Sequence, residues 1–102
     1  MREAGEKILM YTKDISKEDF LKDGILSYAI VKYIENIGEA AFKIDKEYKR
    51  KKPDIQWKGI EGIRHIFVHD YYIIDFNIVW DIAANRIELL LEDINSLILE
   101  EE

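Results

Sequence analysis

Residues 26–44 read LSYAIVKYIENIGEAAFKI, and this stretch decides the fold. Its apolar positions run Leu26, Ile30, Tyr33, Ile37, Ala40 or Ala41, and Ile44, in steps of three and four. Such steps draw one stripe along an α-helix and do not fit the alternation of a half-buried strand. Asp23, followed by Gly24, supplies an N-cap carboxylate at the start. The spacing predicts one long helix that fades within Lys49 to Lys52. Pro53 disfavours helical geometry at the residue before it.

The C-terminal part repeats the pattern. Phe76, Val79, Trp80, Ala83, Ile87, Leu90, Ile94 and Leu97 form a second stripe, and Asp75 can cap its start. A shorter helix is expected from Asp54 to Asp70, with Trp57, Ile60, Ile63 and Phe67 facing inward. A further helix occupies the first segment, to about Tyr11. Ser16-x-x-Asp19 resembles a capping box opening a short one. The β-rich patches Ile66 to Val68 and Tyr71 to Ile74 are short, with no hairpin turn and no partner strand. The expected fold is a single domain over residues 1–102, an all-α, up-and-down antiparallel bundle of four to five helices.

A chain of 102 residues has room for one core. Its 48% apolar and 35% charged residues are those of a globular protein, not a disordered one. There is no cysteine, which excludes disulfides and thiolate metal sites and fits a reducing cytoplasm. No apolar run is long enough to span a bilayer, so no membrane role is expected. The net charge of −6 argues against a nucleic-acid ligand, but the cations are unevenly placed. Lys46, Lys49, Arg50, Lys51 and Lys52 are five of the 15 basic residues. They form either a solvated linker or a patch that can meet phosphate.

Chemistry concentrates in Arg64-His65-Ile66-Phe67-Val68-His69-Asp70-Tyr71, which holds both histidines of the chain. A guanidinium can hold a phosphate and steady charge that builds on it. An imidazole titrates near neutral pH and can move a proton. On an ideal helix Arg64 and His69 lie about 140° apart around the axis, so they do not stack on each other. A site using both must sit at a helix end or be shared between two subunits. Taken alone, an arginine and a histidine on a helix are ordinary surface charge and a hydrogen-bonded ring. Glu61, His65 and His69, at i, i+4 and i+8, offer a rival reading as metal ligands. The outer two are two turns apart and reach one tetrahedral ion poorly.

Arg64-x4-His69-x-Tyr71 resembles the R-x4-H-x-Y motif of HepT-like toxins, members of the HEPN superfamily. The flanks are similar as well. Ile37-Gly38-Glu39-Ala40-Ala41 resembles the family's I-G-E-A-A segment. Trp57-x-x-Ile60-x-Gly62-Ile63-Arg64 resembles its W-x-x-I-x-G-x-R lead-in, and Asp75 through Trp80 its D-x-x-x-x-W. The resemblance implies a HEPN-like bundle acting as a metal-independent RNA endonuclease toxin without a cofactor. It implies a dimer whose two motifs line one cleft, and a minimal nucleotidyltransferase antitoxin that adds AMP to the motif tyrosine, here Tyr71. On that basis Arg64 and His69 are the catalytic residues, His65 and Glu39 support them, and no metal is held. Two other classes stay open: a non-catalytic module binding a nucleotide or partner on the same fold, and a purely structural helical dimer.

Overall fold

The computed structural model describes residues 1–63 and 74–101, the last four of these by backbone alone. The described residues form an all-α antiparallel bundle of the HEPN-like kind. Its elements are α1 (Arg2–Thr12), α2 (Lys17–Lys22), α3 (Gly24–Phe42), α4 (Lys46–Lys51), α5 (Trp57–Gly62) and α6 (Phe76–Asp81). A π-helical turn (Ile82–Arg86) then leads into α7 (Ile87–Glu101).

Helix α3 carries the expected stripe through the core. Asp23 Oδ1 accepts the Leu26 N–H at 3.0 Å and caps it as predicted. Ile30, Ile34 and Ile37 are fully buried, with Val31 and Ala41 beside them. Each large side chain so buried contributes roughly 1.5–3 kcal/mol over leaving it in water. The buried face is wider than the predicted stripe, since Val31 and Ile34 join it.

The helix stops at Phe42 and does not run on to Lys49–Lys52 as the spacing predicts. Lys43 N–H bonds back to the Glu39 carbonyl at 3.2 Å and Ile44 N–H to that of Ala41 at 3.3 Å, closing the end. Asp45 then opens a new helix, its carboxylate accepting the Glu47 N–H at 2.8 Å. A short acid side chain that can bond nearby backbone offers the chain this alternative to continuing the first helix. The basic segment is therefore helix α4, not a linker.

Helix α1 packs against both α3 and α7. Gly5 makes the second contact possible: a Cβ there would stand 2.8 Å from Leu91 Cδ2. Thr12 is buried and donates its hydroxyl to the Ile8 carbonyl at 2.7 Å, which satisfies that hydroxyl. Ser16 caps α2 by accepting the Asp19 N–H at 3.1 Å. From α2, Phe20 enters the core fully buried and meets the Trp80 ring at 5.2 Å between centroids.

The second stripe is also borne out: Val79, Ala83, Ile87, Leu90 and Ile94 are buried. The π turn beneath it follows from the stripe's own arithmetic. Val79 to Ala83 to Ile87 are two successive steps of four, which drift about 80° past two α-helical turns. A wider turn absorbs that drift. It lets Ile82 and Ala83 both face the core, each 1% exposed. Asn85 donates its side-chain amide to Asp81 Oδ1 at 2.8 Å across the turn.

Candidate functional site

Arg64, His65, His69 and Tyr71 lie outside the described residues, as do Phe67, the patch Ile66 to Val68 and all of the patch Tyr71 to Ile74 except Ile74 itself. The elements on either side of them are described, and they are well anchored. Helix α5 begins at Trp57, three residues later than expected, because residues 52–57 form a hydrogen-bonded turn after Pro53's entry. In that turn the Lys52 carbonyl accepts both the Ile55 N–H at 3.3 Å and the Trp57 indole N–H at 3.0 Å. Trp57 N–H bonds the Ile55 carbonyl at 2.9 Å.

Trp57 also meets a cation. Lys49 Nζ stands 5.9 Å from the centre of its ring, within cation–π range. The same ammonium pairs with the Glu61 carboxylate, one turn further along α5. The two side chains are 14% and 25% exposed, so the pair is partly desolvated. Removing one partner would leave the other as a half-buried charge, which is costly. Lys49, Trp57 and Glu61 thus brace α4 against α5.

Trp57, Ile60 and Ile63 are buried as predicted, and α5 packs on α3. Ile63 is the residue before Arg64. On the far side Ile74 packs against the core, and Asp75 Oδ1 accepts the Asn77 N–H at 3.0 Å as α6 begins. The motif is therefore bracketed by a core isoleucine at each end and by a capped helix start. Glu39 sits half-buried near the C-terminal end of α3.

Two grooves flank α5. An apolar one of about 290 Å³ lies between α5 and α7, lined by Ile60, Ile63, Ile87 and Leu90 with Arg86 and Asp93 among its polar members. A wider one of about 870 Å³ lies between α4 and α5 and carries Lys46, Lys49, Arg50 and Lys58. The sequence alone identified the basic run but not its pairing with α5. It also treated Glu61 as a ligand type and missed its ion pair. Lys49 is twelve residues from Glu61, beyond any local helical spacing.

A helical bundle that carries an arginine–histidine–tyrosine motif between two core-anchored helices defines a HEPN-like domain. The chain belongs to the HepT-like ribonuclease family, whose model matches residues 1–97. It is 29% identical over 92 residues to a Methanocaldococcus jannaschii protein provisionally named an RNase, covering 90% of this chain and 84% of the relative. A Caldanaerobacter subterraneus subsp. tengcongensis protein under the same provisional name is 33% identical over 97 residues, 95% of this chain and 87% of its own. A Thermococcus cleftensis protein provisionally named ribonuclease HepT is 35% identical over 95 residues, 93% and 80% of the two chains. No solved structure matches the chain significantly. No helix among the described residues is long and apolar enough to cross a membrane.

Proposed function

We propose that this ribonuclease-family chain is a metal-independent RNA endonuclease, the toxin of a pair whose other member is a minimal nucleotidyltransferase, and that it works as a cytoplasmic homodimer. The observation that carries the reading is Arg64-x4-His69-x-Tyr71 inside a family match that spans residues 1–97. RNA brings its own nucleophile, the 2′-hydroxyl. His69 takes that proton as the oxygen attacks phosphorus, and Arg64 balances the negative charge of the phosphorane. The P–O5′ bond breaks, and a second His69, across the dimer, gives a proton to the departing 5′-oxygen. The products are a 2′,3′-cyclic phosphate and a 5′-hydroxyl. His65 and Glu39 are assigned as supporting polar groups.

Two features of the described residues bear on this reading, one against a metal site and one for a dimer. Glu61 is already paired with Lys49, which weakens the Glu61/His65/His69 metal set. The apolar residues Ile25 and Tyr28 of α3 are 89% and 60% exposed, and the Tyr28 ring meets that of Phe76 at the start of α6. Such a face suits a second copy of the chain.

Regulation follows from charge. AMP joined to Tyr71 through a phosphodiester brings one negative charge close in sequence to Arg64 and His69. It competes with the RNA phosphate for the guanidinium, and its base occupies space a nucleotide would use. The test is induced expression with and without the gene beside it, following growth and RNA integrity. Growth arrest and RNA loss only without the partner support the pair. Equal growth with intact RNA in both arms would sink it.

A further inference from the structure

The cations crowded between Lys46 and Lys52 belong to a groove, and the groove has the make-up of a single-stranded nucleic-acid track. We propose that the α4–α5 groove binds the single-stranded RNA beside the cut, gripping its backbone through Lys46, Arg50 and Lys58. The proposal rests on the ribonuclease reading for the identity of the strand. The groove lining holds four cations against two carboxylates, Asp45 and Glu61, in a chain of net charge −6. Glu61 is taken up by Lys49.

The three remaining cations are available. Among the described residues no carboxylate stands within ion-pair distance of Lys46 or Lys58, and both are exposed. Arg50 pairs with Glu47 at 2.6 Å, but the two side chains are 75% and 66% exposed. An exposed pair of this kind contributes little, and a phosphate can replace the carboxylate on the guanidinium. Phe42 lines the same groove with about half its surface in water. A positively charged groove that can track a phosphate backbone is what sequence-tolerant strand binding requires. The ribonuclease-family match makes a phosphate backbone a better occupant than an acidic protein surface.

Position supports it too. Glu61 lines the groove and Arg64 follows three residues later, so the covalent chain keeps their Cα atoms within about 11 Å. A strand in the groove would pass near the chain position of Arg64, the residue assigned to hold the phosphate.

The experiment measures binding of the full-length protein to a 12-nucleotide single-stranded RNA carrying 2′-O-methyl groups, which lack the nucleophile and cannot be cut. Fluorescence anisotropy is recorded from 50 to 200 mM salt. Each phosphate contact on a single strand adds about 0.7 to the slope of log affinity against log salt. Lys46→Gln, Arg50→Gln and Lys58→Gln together should make that slope shallower by about 2. Over the fourfold salt range the unaltered protein then loses about 18-fold more affinity than the triple variant. The reversal Lys46→Glu/Arg50→Glu/Lys58→Glu repeats the test with a second chemistry. The control Arg2→Glu/Lys17→Glu/Lys32→Glu makes the same change of charge away from the groove and should leave the slope in place.

An unchanged slope in both groove variants overturns the proposal, and so does an equal fall in the control. If RNA binding is kept while co-purification of the nucleotidyltransferase is lost, the groove is a protein dock and the proposal fails. Steep, groove-dependent binding without cleavage of unmodified RNA would remove the ribonuclease reading and leave the groove standing. Cleavage with an unaltered slope would do the reverse.

Discussion

Replacing Trp57 probes the brace that holds α5, and through it the entry to the Arg64–Tyr71 motif. The residue is 8% exposed, donates its indole N–H to the Lys52 carbonyl at 3.0 Å and carries Lys49 over its ring. Trp57→Phe removes the hydrogen bond, worth about 0.5–1.5 kcal/mol net. The Lys52 carbonyl keeps its bond from the Ile55 N–H, so no buried acceptor is orphaned and the cost stays at the low end. The smaller ring weakens a cation–π contact of about 0.5–1 kcal/mol. The expected loss is about 1–2 kcal/mol. Trp57→Ala removes the whole buried ring and should cost about 3–5 kcal/mol. Urea unfolding followed by circular dichroism measures both. The melting temperature of Trp57→Phe should fall by roughly 4–8 °C for each kcal/mol lost. RNA cleavage should drop in the order of these losses, since Ile63 and then Arg64 follow directly from α5. A Trp57→Ala protein within about 0.5 kcal/mol of the parent, well below that range, would refute the brace.

Gly5→Val tests the α1–α7 approach: with its Cβ directed 2.8 Å from Leu91 Cδ2, valine should destabilise by about 1–3 kcal/mol in urea unfolding. Asp75→Ala deletes the cap bond to Asn77 N–H and should cost about 1 kcal/mol, seen as faster amide exchange in the first turn of α6; unchanged exchange would show the cap to be idle. Tyr71→Phe should still cleave RNA yet resist silencing on co-expression with the nucleotidyltransferase, with no AMP mass on the peptide; equal silencing of the variant would make simple partner binding the control.

The long-range frame of this fold was legible because its signals repeat. Leu26 to Ile44 and Phe76 to Leu97 each present several turns of the same period, and Asp23, Ser16 and Asp75 announce helix starts by residue type. All three caps appear as expected. What failed was local. The break at Phe42 depends on a choice between continuing the helix and letting Asp45 cap a new one, and apolar spacing does not decide that choice. The π turn was readable in the two consecutive steps of four from Val79 to Ile87, but those steps also pass as ordinary helix. The site divides the same way. Arg64, His69 and Tyr71 are proposed from the motif's resemblance to the family and lie outside the described residues, whereas the Lys49–Glu61 pair joins residues on separate helices. Only packing brings those together.

The central claim is metal-free transesterification by Arg64 and His69, and the chemistry of the cut ends tests it most directly. Purified protein is incubated with RNA in excess EDTA, and the termini of the fragments are identified by mass spectrometry. The account predicts 2′,3′-cyclic phosphates and 5′-hydroxyls from the parent, and no fragments from Arg64→Ala or His69→Ala, each still folded by circular dichroism. Cleavage that stops with EDTA and returns with zinc or manganese, or that persists in both variants, would contradict it.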